Sequence, residues 1–251
     1  MAENIHIGTS GWSYKHWRDI FYPPKMRPKD YLSFYANHFG TAEINASFYR
    51  LPQPQTVEDW SRHVPDDFKF CPKMSRYLSH MKKLRDPGEP LQRFFGIFEP
   101  MKKMLGPILV QLPVQATFNV SVCQPFFELL GDTYRQYDFV LEPRHPSWFE
   151  KEPLLLMTRF NIGLVISQSG VSFPYSELNT ASHFYLRFHG PADLYASSYT
   201  DEALKAFAKK MKNWAKEGNS VWAFFNNDIH GHAFRDAARL AEMVGLKKRA
   251  V

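Results

Sequence analysis

Acid–base chemistry on an anion needs carboxylates or imidazoles to move protons and cations to hold charge, and this chain carries them at repeated places. Glu43 and Asn45 close one apolar run, and Lys73 follows Phe68-Lys69-Phe70-Cys71-Pro72. Gln111 ends Ile108-Leu109-Val110, while Glu142-Pro143-Arg144-His145 ends Phe139-Val140-Leu141. Arg187 and His189 end Phe184-Tyr185-Leu186, and Asn226-Asn227-Asp228 ends Val221-Trp222-Ala223-Phe224-Phe225. Residues two apart on a strand share a face, so Glu43 with Asn45, Glu142 with Arg144, and Arg187 with His189 point the same way. The candidate proton-transfer residues are Glu43, Glu142, His145 and His189, since imidazole titrates near neutral pH. Lys73, Arg144 and Arg187 are the anion contacts, Asn45, Gln111, Asn226 and Asn227 are placed to read hydroxyls or a base edge, and Asp228 is a further substrate contact.

A buried strand has no structural need for such residues at its carboxyl end. A barrel of parallel strands gathers those ends at one mouth, where ligands bind. Candidate strands lie near residues 5, 42, 68, 107, 138, 162, 183 and 220, alternating with amphipathic segments. Eight strands in 251 residues match a TIM-type (β/α)8 barrel of about 250 residues, read as a single domain over 1–251. A flavodoxin-like open sheet, with fewer strands, is the alternative. Helices are expected from Pro28 to Gly40, from Glu89 to Leu105, near Val122–Leu130, after Thr200, and from His232 to Val244. Gln168 to Ser182 has room for a loop and a turn, so the sixth crossover helix is expected short or missing.

The first loop adds Ser10, Trp12 and Tyr14 as substrate contacts, its aromatic faces suited to stacking a sugar or a base. Trp17 could instead plug the barrel rim. Trp148 could wall the opposite side of the mouth, and Tyr195 and Tyr199 suit a lid.

Charge and composition bound the function. Lys and Arg total 31 against 25 acidic residues, a net +6 that favours anions, nucleic acid among them. The two cysteines, Cys71 and Cys123, lack metal-ligand spacing and read as buried thiols. No compact ligand motif is present, so no metal is expected, with a divalent ion at the mouth the weaker alternative. The stretch Gly8-Thr9-Ser10-Gly11-Trp12 has too few ordered glycines for a phosphate loop or a dinucleotide fingerprint. Met1-Ala2-Glu3-Asn4 runs into a strand without an apolar leader, and no apolar run approaches the ~18 residues of a membrane span. A cytoplasmic protein without a membrane partner is expected.

Taken in order, the strand ends resemble the YecE-like family, also catalogued as domain of unknown function 72. The matching stretches are Gly8–Tyr14 with Trp17, Phe21-Tyr22-Pro23, Glu43–Tyr49, Phe68–Phe70 leading to Lys73, and Gly106–Pro113. Glu142–Trp148, Tyr185–Gly190 and Phe225–Asp228 complete the series. The resemblance implies a TIM-type barrel and supplies no reaction. After Leu164-Val165-Ile166 the family tends to carry an acid, where this chain has Ser167-Gln168-Ser169. The expected activity is a hydrolase, lyase or isomerase acting on a phosphate- or carboxylate-bearing substrate without a redox cofactor. A nucleic-acid-binding barrel, a glycoside hydrolase using Glu43 and Glu142, and a non-catalytic metabolite sensor are the alternatives.

Overall fold

Eight parallel strands form one continuous sheet: β1 Ile5–Thr9, β2 Thr41–Ile44, β3 Lys69–Pro72, β4 Ile108–Gln111, β5 Phe139–Glu142, β6 Ile162–Gln168, β7 His183–Phe188 and β8 Ser220–Phe225. The structure is a computed structural model that describes residues 4–247 and 249; residues 1–3, read above as the approach to β1, lie outside them. Neighbours run β3-β2-β1-β8-β7-β6-β5-β4. The ring is brought together by two bridges between β3 and β4, Phe70 with Leu105 and Lys73 with Leu109. This is the TIM-type arrangement, with strands at the expected positions. The open sheet is excluded.

Helices cover the outside: α1 Tyr31–Ala36, α2 Ala46–Tyr49, α3 Pro54–Arg62, α4 Gly88–Phe98, α5 Val120–Thr133, α6 Lys151–Arg159, α7 Asp201–Lys216 and α8 His232–Val244. The segment expected as one helix from Glu89 to Leu105 is α4 followed by a 3-10 turn over Glu99–Met104. Thr200 caps α7 by accepting from Ala203 N. No helix joins β6 to β7. Thr180 ties that loop down instead, its Oγ1 accepting from Leu164 N at 2.8 Å and donating to Ile162 O at 2.7 Å.

Strand alternation sorts the side chains. Odd and even positions divide between the helix-facing core and the barrel interior, where Cys71, Leu109, Val140, Val165, Tyr185, Trp222 and Phe224 form a dry plug. Two residues further along each of those strands stand Lys73, Gln111, Glu142, Ser167, Arg187 and Asn226. The polar mouth is therefore the continuation of the apolar plug at the same period. Close approach at its edge needs Gly8, because a Cβ there would lie 2.1 Å from Thr41 O.

Candidate functional site

The floor of the mouth is a buried ion network. Arg187 donates through Nε to Glu43 Oε1 and through Nη2 to Glu43 Oε2, both at 2.9 Å, and through Nη1 to Glu142 Oε2 at 2.8 Å. Glu142 Oε1 also accepts from Arg144 Nη2 at 2.8 Å, from Ser167 Oγ at 3.0 Å and from His189 Nε2 at 3.0 Å. Tyr185 OH donates to Glu43 Oε1 at 2.8 Å. Burial alone would raise the Glu142 carboxyl, but Arg144, Arg187 and the His189 hydrogen bond hold it well below the usual carboxylate range. Two carboxylates and two guanidiniums cancel, so the floor is neutral as a unit.

His189 is fully buried and locked from both sides. Asn226 Nδ2 donates to its Nδ1 at 3.1 Å, which places the imidazole proton on Nε2, facing Glu142. Burial keeps this imidazole neutral, pushed down to about 4. Above the network, Phe173 from the loop after β6 lays its ring 3.3 Å from the Arg144 guanidinium carbon.

Over this floor opens a cavity of 1180 Å³ at the carboxyl ends of the strands. That is at or above the upper end of the ~300–1,000 Å³ usual for small-molecule sites. Glu43, Arg187, Asn45, Gln111 and Asn226 reach it from below, and Trp12, Tyr14, Phe48, Trp60 and Tyr195 wall it. Lys73 also faces it. Its Nζ donates to Gln111 Oε1 and sits 4.2 Å from the centre of the Phe48 ring. Among the described residues it makes no ion pair with a carboxylate. Burial, reinforced by Arg187, pushes its ammonium down to about 7 against the opposing pull of Glu142 and Glu43.

On the far rim Asp228 accepts from Trp17 Nε1 at 2.6 Å and pairs with His16 Nε2 at 2.8 Å. Burial raises its carboxyl to about 6, with Trp17 and His16 pulling the other way. Ser10 Oγ and Asn45 Oδ1, both buried at this mouth, have no hydrogen-bond partner.

Comparison with known proteins gives the lineage. Residues 6–251 match the family model described as protein of unknown function DUF72. The chain belongs to the DUF72 family. The UPF0759 protein YecE of Escherichia coli K12 is 31% identical over 147 residues, covering 59% of this chain and 51% of that relative, so that match spans about half of the relative's length. The UPF0759 protein YunF of Bacillus subtilis is 23% identical over 97% of this chain and 95% of its own. A DUF72 family crystal structure from Thermotoga maritima superposes with a TM-score of 0.83 at 26% identity, covering 96% of this chain and 98% of that one. Family membership and barrel fold agree with the resemblance carried by the strand ends.

Within this DUF72 barrel the sequence-selected residues separate into groups. Ser10, Trp12, Tyr14, Glu43, Asn45, Lys73, Gln111, Arg187, Asn226 and Asp228 line the cavity. Glu142, Arg144 and His189 lie in the network beneath it. His145, Trp148, Tyr199 and Asn227 are turned elsewhere. His145 Nδ1 caps the turn over Pro146–Phe149 by accepting from Ser147 N. Trp148 is buried and donates to Ala116 O at 2.7 Å, beside a separate 180 Å³ hollow. Tyr199 OH accepts from Gly190 N at 3.0 Å, and Asn227 Nδ2 donates to Ser197 O and to Asp236 of α8. Trp17 is the rim plug, fully buried. Tyr185, Ser167 and Phe173 belong to the floor, and Phe48, Trp60 and His80 to the cavity, without having been selected from sequence. Tyr185 and Ser167 carried a usable signal, the first as the inward residue two before Arg187 and the second as the residue two beyond Val165 near the end of β6.

No helix among the described residues is long and apolar enough to cross a membrane.

Proposed function

We propose that this DUF72 barrel is an acid–base enzyme that takes a small phosphate- or carboxylate-bearing substrate into the mouth cavity. The observation that carries the reading is Lys73, an amine facing that cavity without a carboxylate partner among the described residues, whose ammonium form a bound anion would stabilise, above a floor whose own charges cancel. An anionic ligand supplies the missing counter-charge. Arg187 adds to this: three of its N–H groups are engaged by Glu43 and Glu142, and a guanidinium carries five. The spare donors belong to a side chain that lines the cavity. Arg144 contributes indirectly, by holding Glu142 in place.

Proton transfer is assigned to Lys73 and Glu43, ionisable side chains that line the cavity. His189 and Glu142 then serve as positioning residues, since they hydrogen-bond each other within the floor and neither lines the cavity. Hydrolysis, elimination and isomerisation without a redox cofactor remain the reaction types in view. Glycoside hydrolysis fits less well, because both carboxylates are taken up by Arg187 in one buried pairing and Glu142 does not line the cavity. Cytoplasmic residence belongs to the same proposal and agrees with two free, buried cysteines.

The test is thermal-shift screening against small phosphates, carboxylates, neutral sugars and oligonucleotides at two salt concentrations. A true ligand at a hundredfold excess over its Kd stabilises by ~2.7 kcal/mol. Small anions should stabilise the wild type and fail to stabilise Lys73→Met. A shift confined to oligonucleotides, lost steeply with salt, would overturn the reading in favour of nucleic-acid binding.

A further inference from the structure

We propose that Lys73 is a covalent catalyst, its amine forming an imine with the carbonyl carbon of an anionic aldehyde or ketone held in the mouth cavity. The proposal deepens the anion-binding reading above and rests on it. A lysine that serves only to hold charge is usually met by a carboxylate. Here both nearby carboxylates are consumed by Arg187 and Arg144, and among the described residues Lys73 Nζ meets the Gln111 amide oxygen and the face of Phe48. Neither contact would be lost as a charge pair if the amine were neutral.

The backbone that carries this side chain is fixed. Lys73 N donates to Ile44 O at 3.1 Å, and its carbonyl accepts from Ser47 Oγ at 2.7 Å. Met74 N donates to Leu109 O at 2.8 Å, so the nucleophile stands where β3 meets both neighbouring strands. Burial lowers the ammonium to about 7, which makes the free amine abundant at neutral pH.

The step balances without an oxidant or a metal. The nitrogen lone pair adds to the carbonyl carbon, the C=O π pair moves to oxygen, and a proton passes from nitrogen to that oxygen to give a carbinolamine. A second proton, taken from solvent, reaches the carbinolamine hydroxyl. The nitrogen lone pair then forms the C=N bond as the C–O bond breaks, so that water leaves and the protonated imine remains. The proton relay needs a neutral base in the cavity. His80 lines it and is pushed down to about 4, chiefly by burial and then by Lys73. A protonated imine draws electrons from the adjacent carbon. Of the three reaction types above, it favours elimination and isomerisation over hydrolysis.

The experiment treats the full chain with pyridoxal 5′-phosphate or glyceraldehyde 3-phosphate plus sodium cyanoborohydride, then maps the reduced adduct by peptide mass spectrometry. Lys73 should be labelled at least about a hundredfold faster than any other lysine, because its free-amine fraction at pH 7 is about a thousandfold that of an ordinary lysine of pKa ≈ 10.4 and its lower nucleophilicity offsets only part of that. Its labelling should rise with pH through about 7 and then level. Glycerol 3-phosphate, which has no carbonyl, should protect it. Adducts spread over surface lysines with Lys73 unlabelled would overturn the imine. If glycerol 3-phosphate still raises the melting temperature in that case, the anion reading survives alone. If it does not, both fall.

Discussion

Arg187 and Glu43 meet in a bidentate pair, Nε to Oε1 and Nη2 to Oε2, each at 2.9 Å and both residues essentially without solvent exposure. The pair joins β7 to β2 across the barrel interior, and the third Arg187 bond reaches β5 through Glu142. Three strands are thus tied by one guanidinium just above the apolar plug. Removing it leaves two carboxylates buried with less than their counter-charge. Arg187→Met is therefore expected to cost about 3–5 kcal/mol in urea unfolding. Adding Glu43→Gln to that variant should recover part of the loss, since the second change removes one of the stranded charges. A cost below about 1 kcal/mol would mean that the pair is solvated like a surface bridge.

Glu142→Gln reads, from sequence, as a catalytic knockout with an intact fold. The four donors around Glu142 argue for a structural effect instead. Arg144, Ser167 and His189 all donate to Oε1 while Arg187 donates to Oε2. A glutamine offers one acceptor and turns an NH2 towards the remaining donors. The expected loss is about 3 kcal/mol or more, measured by denaturant unfolding, with any loss of ligand binding following it. Unchanged stability would return Glu142 to a role in the chemistry.

Acid should destabilise the fold well above the usual carboxylate range. His6, His80 and His189 are each pushed down to about 4 by burial, from 6.5. Between those values the unfolded chain binds more protons than the folded one, so stability is lost as pH falls from about 6.5 towards 4. Glu142, held low, continues the decline below that window. Asp228, raised to about 6, works in the opposite direction, because the folded state takes up its proton first. His183, lowered by burial as well, adds to the loss, so the imidazoles outweigh Asp228. Melting temperatures from neutral pH down through this window should fall, and His189→Asn should fall less steeply. A flat profile would show that these imidazoles are reached by water.

The rows of inward residues were legible because strand alternation has period two and the plug and the mouth share it. Tyr185, Arg187 and His189 are one such row, and Val140, Glu142 and Arg144 another. The gap at the sixth crossover was legible from the length between Gln168 and Ser182. What the pattern did not carry was pairing. Lys73, Arg144 and Arg187 look alike as cations at strand ends, yet two are neutralised by Glu43 and Glu142 and one is not. His145 and Trp148 follow Pro143 and flank Pro146, and the backbone has left the strand by then to form a 3-10 turn. Trp60 and Tyr195 reach the cavity from α3 and from the loop after β7, where no alternation announces which side faces in.

Lys73 gives the sharpest pH prediction, because its cost and its use have one origin. Its ammonium is lowered from 10.5 to about 7, so between those values the unfolded state binds the extra proton. Wild-type stability from this group therefore rises as pH climbs from about 7 towards 10.5, and below 7 the fold bears the full cost of a desolvated ammonium. Lys73→Met keeps the apolar stem and removes the charge. It should melt at a higher temperature than wild type, with the widest gap below pH 7 and a narrower one as pH nears 10. An exposed lysine such as Lys209 on α7, changed in the same way, controls for the loss of a lysine outside the mouth. A constant gap between wild type and Lys73→Met across the range would mean that burial does not lower the Lys73 ammonium. The free amine needed at neutral pH would then be absent, and with it the imine.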